Sequence, residues 1–352
     1  MKLWMRYLLV RLYSTVLFIL SCLFGIYVVI DLSIHSVRFF ADGKVNALAV
    51  FLYYLHSFAM HLDLFFSLAF VLSSLKVLFD FTHHFELIAL QMAGLSKRRL
   101  TRPLFILATT LSLLSYANAQ WLAPNAQESI DLFRMEHAKR KKQAPQEHIH
   151  SVTLDDGTVV VYQRFDQRLK TLADAYWIRS EDELWHIKTL ELNQSPLLGR
   201  FVDHLTRNDQ GQIAVSESFD RRPMPDLPLE TAQALQKFVP IENRPLVTML
   251  LQSFSNCADR EMIRSHLHYK LSMPLLPILI ALSLPPVLLR FSRQSAAFLI
   301  AACSLFALIA LFTVLDGMLI LAENHVLSPA LAIWTPWFFC LSISLRRFLR
   351  FS

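Results

Sequence analysis

Long apolar segments lie at both ends of the chain, and a polar block fills its middle. The apolar runs lie near residues 10–31, 57–78 and 103–122, and again near 271–289, 296–320 and 330–345. A helix needs about 20 apolar residues to cross the hydrocarbon core of a bilayer, and these runs come close to or exceed that length. They do not alternate polar and apolar residues as a membrane β-strand does. The pattern therefore predicts six transmembrane helices, three on each side of the polar block.

The polar block, from about residue 124 to 268, consists of short β-prone runs separated by turn-forming residues. Ile149–Leu154 and Thr158–Phe165 flank Asp155-Asp156-Gly157, which is a hairpin signal. Further β-prone runs follow at Ala175–Arg179, Leu184–Leu192, Phe201–Thr206 and Gln212–Phe219. A β-sandwich or open jelly-roll of about six to ten strands fits this pattern. Leu229–Phe238 and Leu246–Phe254 then predict helices that return the chain to the membrane.

The predicted fold is thus an α-helical membrane protein of six spans with an inserted extracytoplasmic β-domain. Its domains are 1–123, 124–268 and 269–352. The composition agrees, because 54% of the 352 residues are hydrophobic and only 18% are charged.

The net charge of +6 comes from basic residues at the ends of the apolar runs. That distribution indicates membrane topology and no nucleic-acid partner, because lysine and arginine near span ends are retained in the cytoplasm. The predicted cytoplasmic set is Lys2, Arg6, Arg11, Lys76, Lys97, Arg98, Arg99, Arg102, Arg290, Arg293, Arg346, Arg347 and Arg350. Both termini are then cytoplasmic and the central domain lies on the outer side of the membrane.

Motifs of common catalytic and cofactor sites are absent from the sequence. Its seven glycines never form the loop that precedes a Lys and a Ser or Thr in ATP-binding proteins, so energy for any work must come from another protein. There is no G-x-S-x-G or H-E-x-x-H motif. The pairs His83-His84 and His266-x-His268 lack the cysteine or carboxylate neighbours of a metal site, so no metal or cofactor is expected.

One short segment between the second and third predicted spans, residues 84–94, has a helical composition but is too short to cross a bilayer. Phe85, Ile88, Ala89 and Met92 form one apolar stripe at helical spacing. Gly94 is a natural helix stop and Ser96 a natural cap for the next helix. Such a helix could rest on the membrane surface or be buried against a partner, and its own pattern leaves both readings open.

A resemblance to a known family rests on this segment. It reads Glu86-Leu-Ile-Ala-Leu-Gln-Met-Ala-Gly94-Leu-Ser96 and is followed by Arg98-Arg99-Leu-Thr-Arg-Pro103. This run resembles the coupling-helix signature of the LptF/LptG (YjgP/YjgQ) permeases. Other matching pieces, in order, are Trp121-Leu-Ala-Pro124-Asn125, Glu183-Leu-Trp185-His-Ile-Lys and His268-Tyr-Lys-Leu-Ser-Met-Pro274-Leu-Leu-Pro277.

The resemblance implies one half of a heterodimeric permease that carries lipopolysaccharide from the inner membrane to a periplasmic bridge of LptC/LptA-like jelly-roll proteins. A cytoplasmic LptB-like ATPase dimer would bind ATP and Mg and supply the energy. In that assembly Glu86 pairs with a basic group on the ATPase, while Leu87, Leu90, Ala93 and Gly94 pack into its groove.

The family's lipid cavity carries basic residues near the outer ends of the first spans. Here the first span ends without a lysine, in Val28-Val29-Ile30-Asp31-Leu32-Ser33-Ile34-His35, so Arg38 and Lys44 are the nearest substitutes. Lys270 precedes the Ser272-x-Pro274 segment, where many members carry a basic residue. These three are the candidate contacts for lipid phosphates.

Two questions stay open at this level. The stretch Val314-Leu315-Asp316-Gly317 favours the LptG-like half without excluding the LptF-like one. The alternative to a transporter is a membrane-anchored binding or scaffold protein with a β-rich sensor domain. An intramembrane enzyme ranks last, because no convincing nucleophile, base or metal set is present.

Overall fold

The computed structural model describes residues 3–40, 47–126, 129–130, 133, 150–154, 157–166, 169–180, 182–193, 196–207, 213–225, 227, 239–254, 260–289 and 297–350. The chain forms two compact units. A helical unit comprises Met1–Ala138, Pro245–Ser253 and Glu261–Ser352, and a β unit comprises Lys139–Arg244 and Phe254–Arg260.

Helices occupy the described residues before and after the β unit. The first group is α1 (Leu3–Phe40), α2 (Ala47–Met60), α3 (Leu62–His83), α4 (Glu86–Met92), α5 (Lys97–Leu100) and α6 (Arg102–Ala117), which continues into a π-helical turn, Asn118–Leu122. The second group is α7 (Leu246–Phe254), α8 (Arg260–Ser272), a 3₁₀ turn (Met273–Leu275), α9 (Leu276–Leu288), α10 (Ala297–Glu323) and α11 (Pro329–Leu349). The helix predicted at Leu246–Phe254 is confirmed, whereas Leu229–Phe238 lies outside the described residues.

Five helical segments of the described chain are long and apolar enough to cross a membrane: Leu3–Ile34, Leu62–His83, Lys97–Ala126, Arg260–Leu288 and Phe298–Glu323. The sixth predicted span, near 330–345, is helical as α11 and is long enough. Its mean hydropathy is lower than that of the other five segments, because it contains two tryptophans, Pro336 and two arginines. The protein is therefore a multi-pass membrane protein, and the sixth crossing stays a prediction.

Prolines shape the fourth predicted span. Pro274 lies in the 3₁₀ turn between α8 and α9, where a proline ring removes a backbone donor and disturbs the α-helical ladder. Pro285 and Pro286 lie inside α9, which continues through both prolines to Leu288.

The core of the helical unit is formed mainly by side chains from α1, α3, α6, α9, α10 and α11. Phe70, Leu12 and Leu107 are fully buried there, as are Leu276 and Ile333. Small serines of α3 are also fully buried, and small residues let membrane helices approach closely.

The β unit contains a six-stranded antiparallel sheet in the order β1 (His150–Thr153), β2 (Val159–Asp166), β3 (Thr171–Ile178), β4 (Glu183–Glu191), β5 (Leu197–Arg207) and β6 (Ile213–Met224). Neighbours in the sheet are neighbours in the chain, so the sheet is a meander of hairpins. All six predicted β runs are confirmed as strands. The described strands form one sheet, so the sandwich or jelly-roll arrangement stays a prediction.

Alternation of side chains places the core of the β unit on one face of its sheet. Trp177 lies directly opposite Trp185 on the neighbouring strand, and both are buried with Ile187 and Val202. The predicted turn at Gly157 is confirmed, because this residue has φ +84° and its N–H donates to the Leu154 carbonyl at 3.0 Å. Glycine adopts that conformation without a steric cost.

Candidate functional site

The chain turns sharply between α3 and α4. The His84 N–H donates to the Asp80 carbonyl at 3.0 Å, and Phe85 then has φ +59°, in the left-handed region. A bulky residue is uncommon there, since its Cβ is crowded by the backbone. This conformation ends α3 and starts a new helix, α4. With seven residues, α4 is about 10 Å long, which is far too short to cross a bilayer.

A Schellman motif ends α4. The Gly94 N–H donates to the Gln91 carbonyl at 2.9 Å, the Leu95 N–H donates to the Leu90 carbonyl at 3.2 Å, and Gly94 has φ +83°. Leu90 and Leu95, which flank the motif, both pack against the core of the helical unit. The predicted helix stop at Gly94 is confirmed.

Ser96 occupies the N-cap position of α5, as predicted from its residue type. Its backbone is extended, and its carbonyl accepts the Arg99 N–H at 2.9 Å. Its hydroxyl makes no capping hydrogen bond among the described residues.

The inward face of α4 packs against its own chain. Leu87 is only 6% exposed and belongs to the core of the helical unit, and Leu90 is half-buried against the same core. Both leucines were expected to pack into a groove of a partner ATPase, and that contact stays a prediction. Within the described chain they attach α4 to the bundle.

Arg11 of α1 joins α4 to α3 by its charge. Its Nη2 lies 3.0 Å from Asp80 Oδ2, and its Nη1 lies 3.7 Å from Glu86 Oε1. The guanidinium carbon also lies 5.2 Å from the centre of the Phe81 ring, which suits a cation–π contact. Glu86 therefore has a partner within its own chain, although about a third of its side chain remains exposed. The sequence did not reveal this cluster, because Arg11 lies 69 to 75 positions before its partners and only folding brings them together.

The outward face of α4 is apolar and exposed. Met92 is 84% exposed, and Phe85 and Ile88 are each about half exposed. Ala93 and Gly94 are exposed beside them. Large apolar side chains gathered on one face of a short helix are typical of a surface that another molecule covers.

Basic residues of two distant segments meet at the same end of the bundle. Arg98 Nη2 donates to the Leu349 carbonyl at 2.6 Å, which places α5 beside the last turn of α11. That turn carries Arg346 and Arg347, and α5 carries Lys97 and Arg99. We call this end, with the start of α1, the α4 end of the bundle. It carries much of the basic set that the sequence predicted to be retained on one side of the membrane.

The family model described as Lipopolysaccharide export system permease LptF/LptG matches residues 6–350. The chain belongs to this family. No curated protein sequence matches it significantly. The LptF/LptG match covers α4 together with the spans on both sides and the β unit. It assigns the chain to the permease components of lipopolysaccharide transport, which are not enzymes themselves.

Two of the three residues expected to contact lipid in this LptF/LptG permease have side chains outside the described part of the structure, so their role stays a prediction. Arg38 lies in the last turn of α1, where its side chain is outside the described part, and Lys44 is outside it altogether. Lys270 lies in α8, close enough to Asp63 of α3 for their charges to interact. Asp63 also accepts a hydrogen bond from Ser115 of α6.

The histidines noted in the sequence have structural partners. His266 Nε2 lies 2.8 Å from Glu323 Oε1, and the Trp334 indole donates to His268 Nδ1 at 3.2 Å. The rings of His83 and His84 lie 5.3 Å apart at the end of α3. Within the described chain, no group of three or more histidines, cysteines or acidic residues is placed to hold a metal ion.

Proposed function

We propose that this chain is one permease subunit of an ATP-driven lipopolysaccharide exporter in a bacterial inner membrane, and that α4 is where a separate ATPase acts on it. The observation that carries the proposal is the build of α4. This helix is attached to its own bundle by Leu87 and Arg11 and presents Ile88 and Met92 outward. Family membership supports the lipopolysaccharide part of the proposal.

The ATPase is a separate protein in this proposal, because the chain lacks the glycine-rich loop that cradles nucleotide phosphates. We infer an LptB-like dimer on the cytoplasmic side, which binds ATP and Mg itself. The clustering of arginines and lysines at the α4 end supports a cytoplasmic position for that end and for both termini. The β unit is then periplasmic.

The two faces of α4 suggest how a movement of the ATPase is transmitted to the transmembrane helices. Ile88, Met92, Ala93 and Gly94 enter a groove of the ATPase. Leu87 and Leu90 join α4 to the bundle core, and Arg11 joins it to the ends of α1 and α3. A displacement of α4 therefore moves the helices that line the membrane cavity. Glu86 is shared between Arg11 and a basic group of the ATPase.

Membership of the LptF/LptG family also suggests the remaining partners of this chain. We propose a homologous second permease, so that two chains enclose one lipid cavity, in which Arg38, Lys44 and Lys270 contact lipid phosphates. Strands β1 and β6 are the edges of the described sheet. An LptC/LptA-like jelly-roll could add a strand to one of these edges and so continue the bridge that receives lipopolysaccharide.

The proposal is tested with Ile88→Glu and Met92→Glu in the full complex reconstituted in liposomes. A buried charge at an apolar contact should weaken ATPase binding about tenfold or more per substitution. Lipopolysaccharide release should fall to a similar extent. Val326→Glu is the matched control, because Val326 is also apolar and exposed but lies between α10 and α11, away from α4.

Equal ATPase recovery and lipopolysaccharide release in all three variants would refute a coupling role for α4. Recovery of the chain with periplasmic proteins but no ATPase would favour the scaffold hypothesis instead.

A further inference from the structure

Helix α7 exposes one stripe of apolar side chains, whereas its polar side chains and Met249 are buried or half-buried. Its exposed residues, each between 46% and 75% exposed, are Val247, Leu250, Leu251 and Phe254. They follow one another at i, i+3, i+4 and i+7, and therefore form one stripe along the helix. Ser253 is buried, and Thr248 and Gln252 are half-buried. A helix whose exposed face lay in water would show the opposite arrangement.

The position of α7 is set by a hydrogen bond to the third span. The Val247 N–H donates to Gln120 Oε1 at 3.1 Å, and Gln120 lies in the π-helical turn that follows α6. Since α6 begins beside α5, this turn lies at the end of the bundle opposite the α4 end. The next two residues, Trp121 and Leu122, are both exposed. Tryptophan is enriched where a span meets the headgroup layer.

The exposed stripe of α7 thus continues the exposed apolar surface of the third predicted span, where a transmembrane helix is expected to contact lipid. The membrane-facing side of the third span leads through Trp121 and Leu122 to the hydrogen bond that holds α7. No residue of α7 is charged, so the helix offers no ionic group to a protein partner or to an anionic headgroup. Its only means of binding on this face is burial of apolar area.

We propose that α7 is an interfacial helix, with its stripe embedded in the phospholipid leaflet at the end of the bundle opposite α4. Burial there removes the apolar side chains from water, while the polar residues stay against the protein. The helix precedes α8, so its attachment sets the depth at which the chain re-enters the membrane. This inference does not depend on an ATPase or on the identity of the transported lipid.

The test uses full-length protein with Cys22, Cys257, Cys303 and Cys340 changed to Ser. A nitroxide is attached at Leu250→Cys or at Leu251→Cys. The control site is Glu242→Cys, an exposed residue of the 3₁₀ turn Ile241–Asn243 that precedes α7. Each protein is reconstituted in phosphatidylethanolamine–phosphatidylglycerol vesicles and in uncharged phosphatidylcholine vesicles. Collisions with oxygen, which enters bilayers, and with a nickel chelate, which stays in water, report the depth of the label.

Labels at Leu250 and Leu251 should collide with oxygen and not with nickel, at about 5–10 Å below the phosphates, and equally in both vesicle types because α7 lacks charge. The label at Glu242 should collide freely with nickel. Nickel access at Leu250 and Leu251 matching that at Glu242 would place α7 in water and overturn the proposal. Protection from both reagents would show a protein surface on the stripe and overturn it equally.

Discussion

The guanidinium of Arg11 makes three contacts at the α4 end. It pairs with Asp80 and Glu86 and lies over the Phe81 ring, so one side chain joins α1, α3 and α4. Two acids around one base leave the cluster with a net negative charge when all three are ionised. We therefore expect Glu86 to remain available to a second cation on a partner.

Arg11→Ala should loosen α4 without unfolding the bundle. The ion pairs are partly exposed, so their loss should cost only about 0.5–1 kcal/mol, and exchange of the α4 amides with solvent deuterium should rise about two- to fivefold. Arg6→Ala is the charge-matched control, since Arg6 is exposed on the same helix. Equal exchange of α4 in the two variants would show that Arg11 does not hold the helix.

Tyr162 gives the β unit a dependence on alkaline pH. Burial raises the pKa of this phenol from 10.0 to about 12, although the charge of Arg244 acts in the opposite direction. The folded chain therefore keeps a proton that the unfolded chain loses above about pH 10. This contribution to stability is complete below pH 10 and is lost as pH rises to about 12.

An absorbance titration at 295 nm, taken as wild type minus Tyr162→Phe, isolates the ionisation of this phenol. We expect the difference to be centred near pH 12. The free energy of unfolding of the β unit should also fall less steeply above pH 10 in Tyr162→Phe. A difference centred near pH 10 would show that the phenol is not buried in solution.

At the scale of elements, Gly94 determines where α4 ends. Its φ of +83° is costly for residues with a Cβ, while no described atom lies within 4 Å of the place a Cβ would take. Gly94→Ala should therefore destabilise the end of α4 by about 1 kcal/mol through backbone conformation alone. Gly94→Asn should cost less, because asparagine tolerates the left-handed region better.

Deuterium exchange of residues 86–95 in both Gly94 variants measures this difference. We expect faster exchange in Gly94→Ala than in Gly94→Asn. ATP-driven lipopolysaccharide release should also fall further in Gly94→Ala than in Gly94→Asn. Identical behaviour of the two would mean that the Schellman motif does not control α4.

The elements that the sequence predicted well are those with local signals. Asp155-Asp156-Gly157 indicated the first hairpin, and Gly94 marked the end of α4, because turn and cap chemistry acts over a few residues. The direction in which α4 faces was not predictable. Ile88 and Leu87 are equally apolar, and only the packing of Leu87 against distant helices decides which of them turns inward.

At the scale of the molecule, the long apolar segments predicted a multi-pass membrane protein, and five of the six are confirmed as potential spans. The sixth, α11, contains both aromatic and basic residues, and its composition alone does not show whether it is surrounded by lipid or by protein. The sheet order was open as well, since alternation identifies strands but not their neighbours. Site residues far apart in the chain, such as Arg11 and Glu86, could be paired only in the folded bundle.

Photocrosslinking from Met92 in living cells shows whether an ATPase contacts α4. A photoreactive amino acid replaces Met92, the most exposed apolar residue of α4, and in a second strain it replaces Val326. We expect a covalent adduct between position 92 and an ATP hydrolase, and the yield of this adduct should change when ATP is depleted. Position 326 should give no such adduct. Adducts from position 92 to lipid alone, in a chain that is inserted and stable, would contradict this prediction.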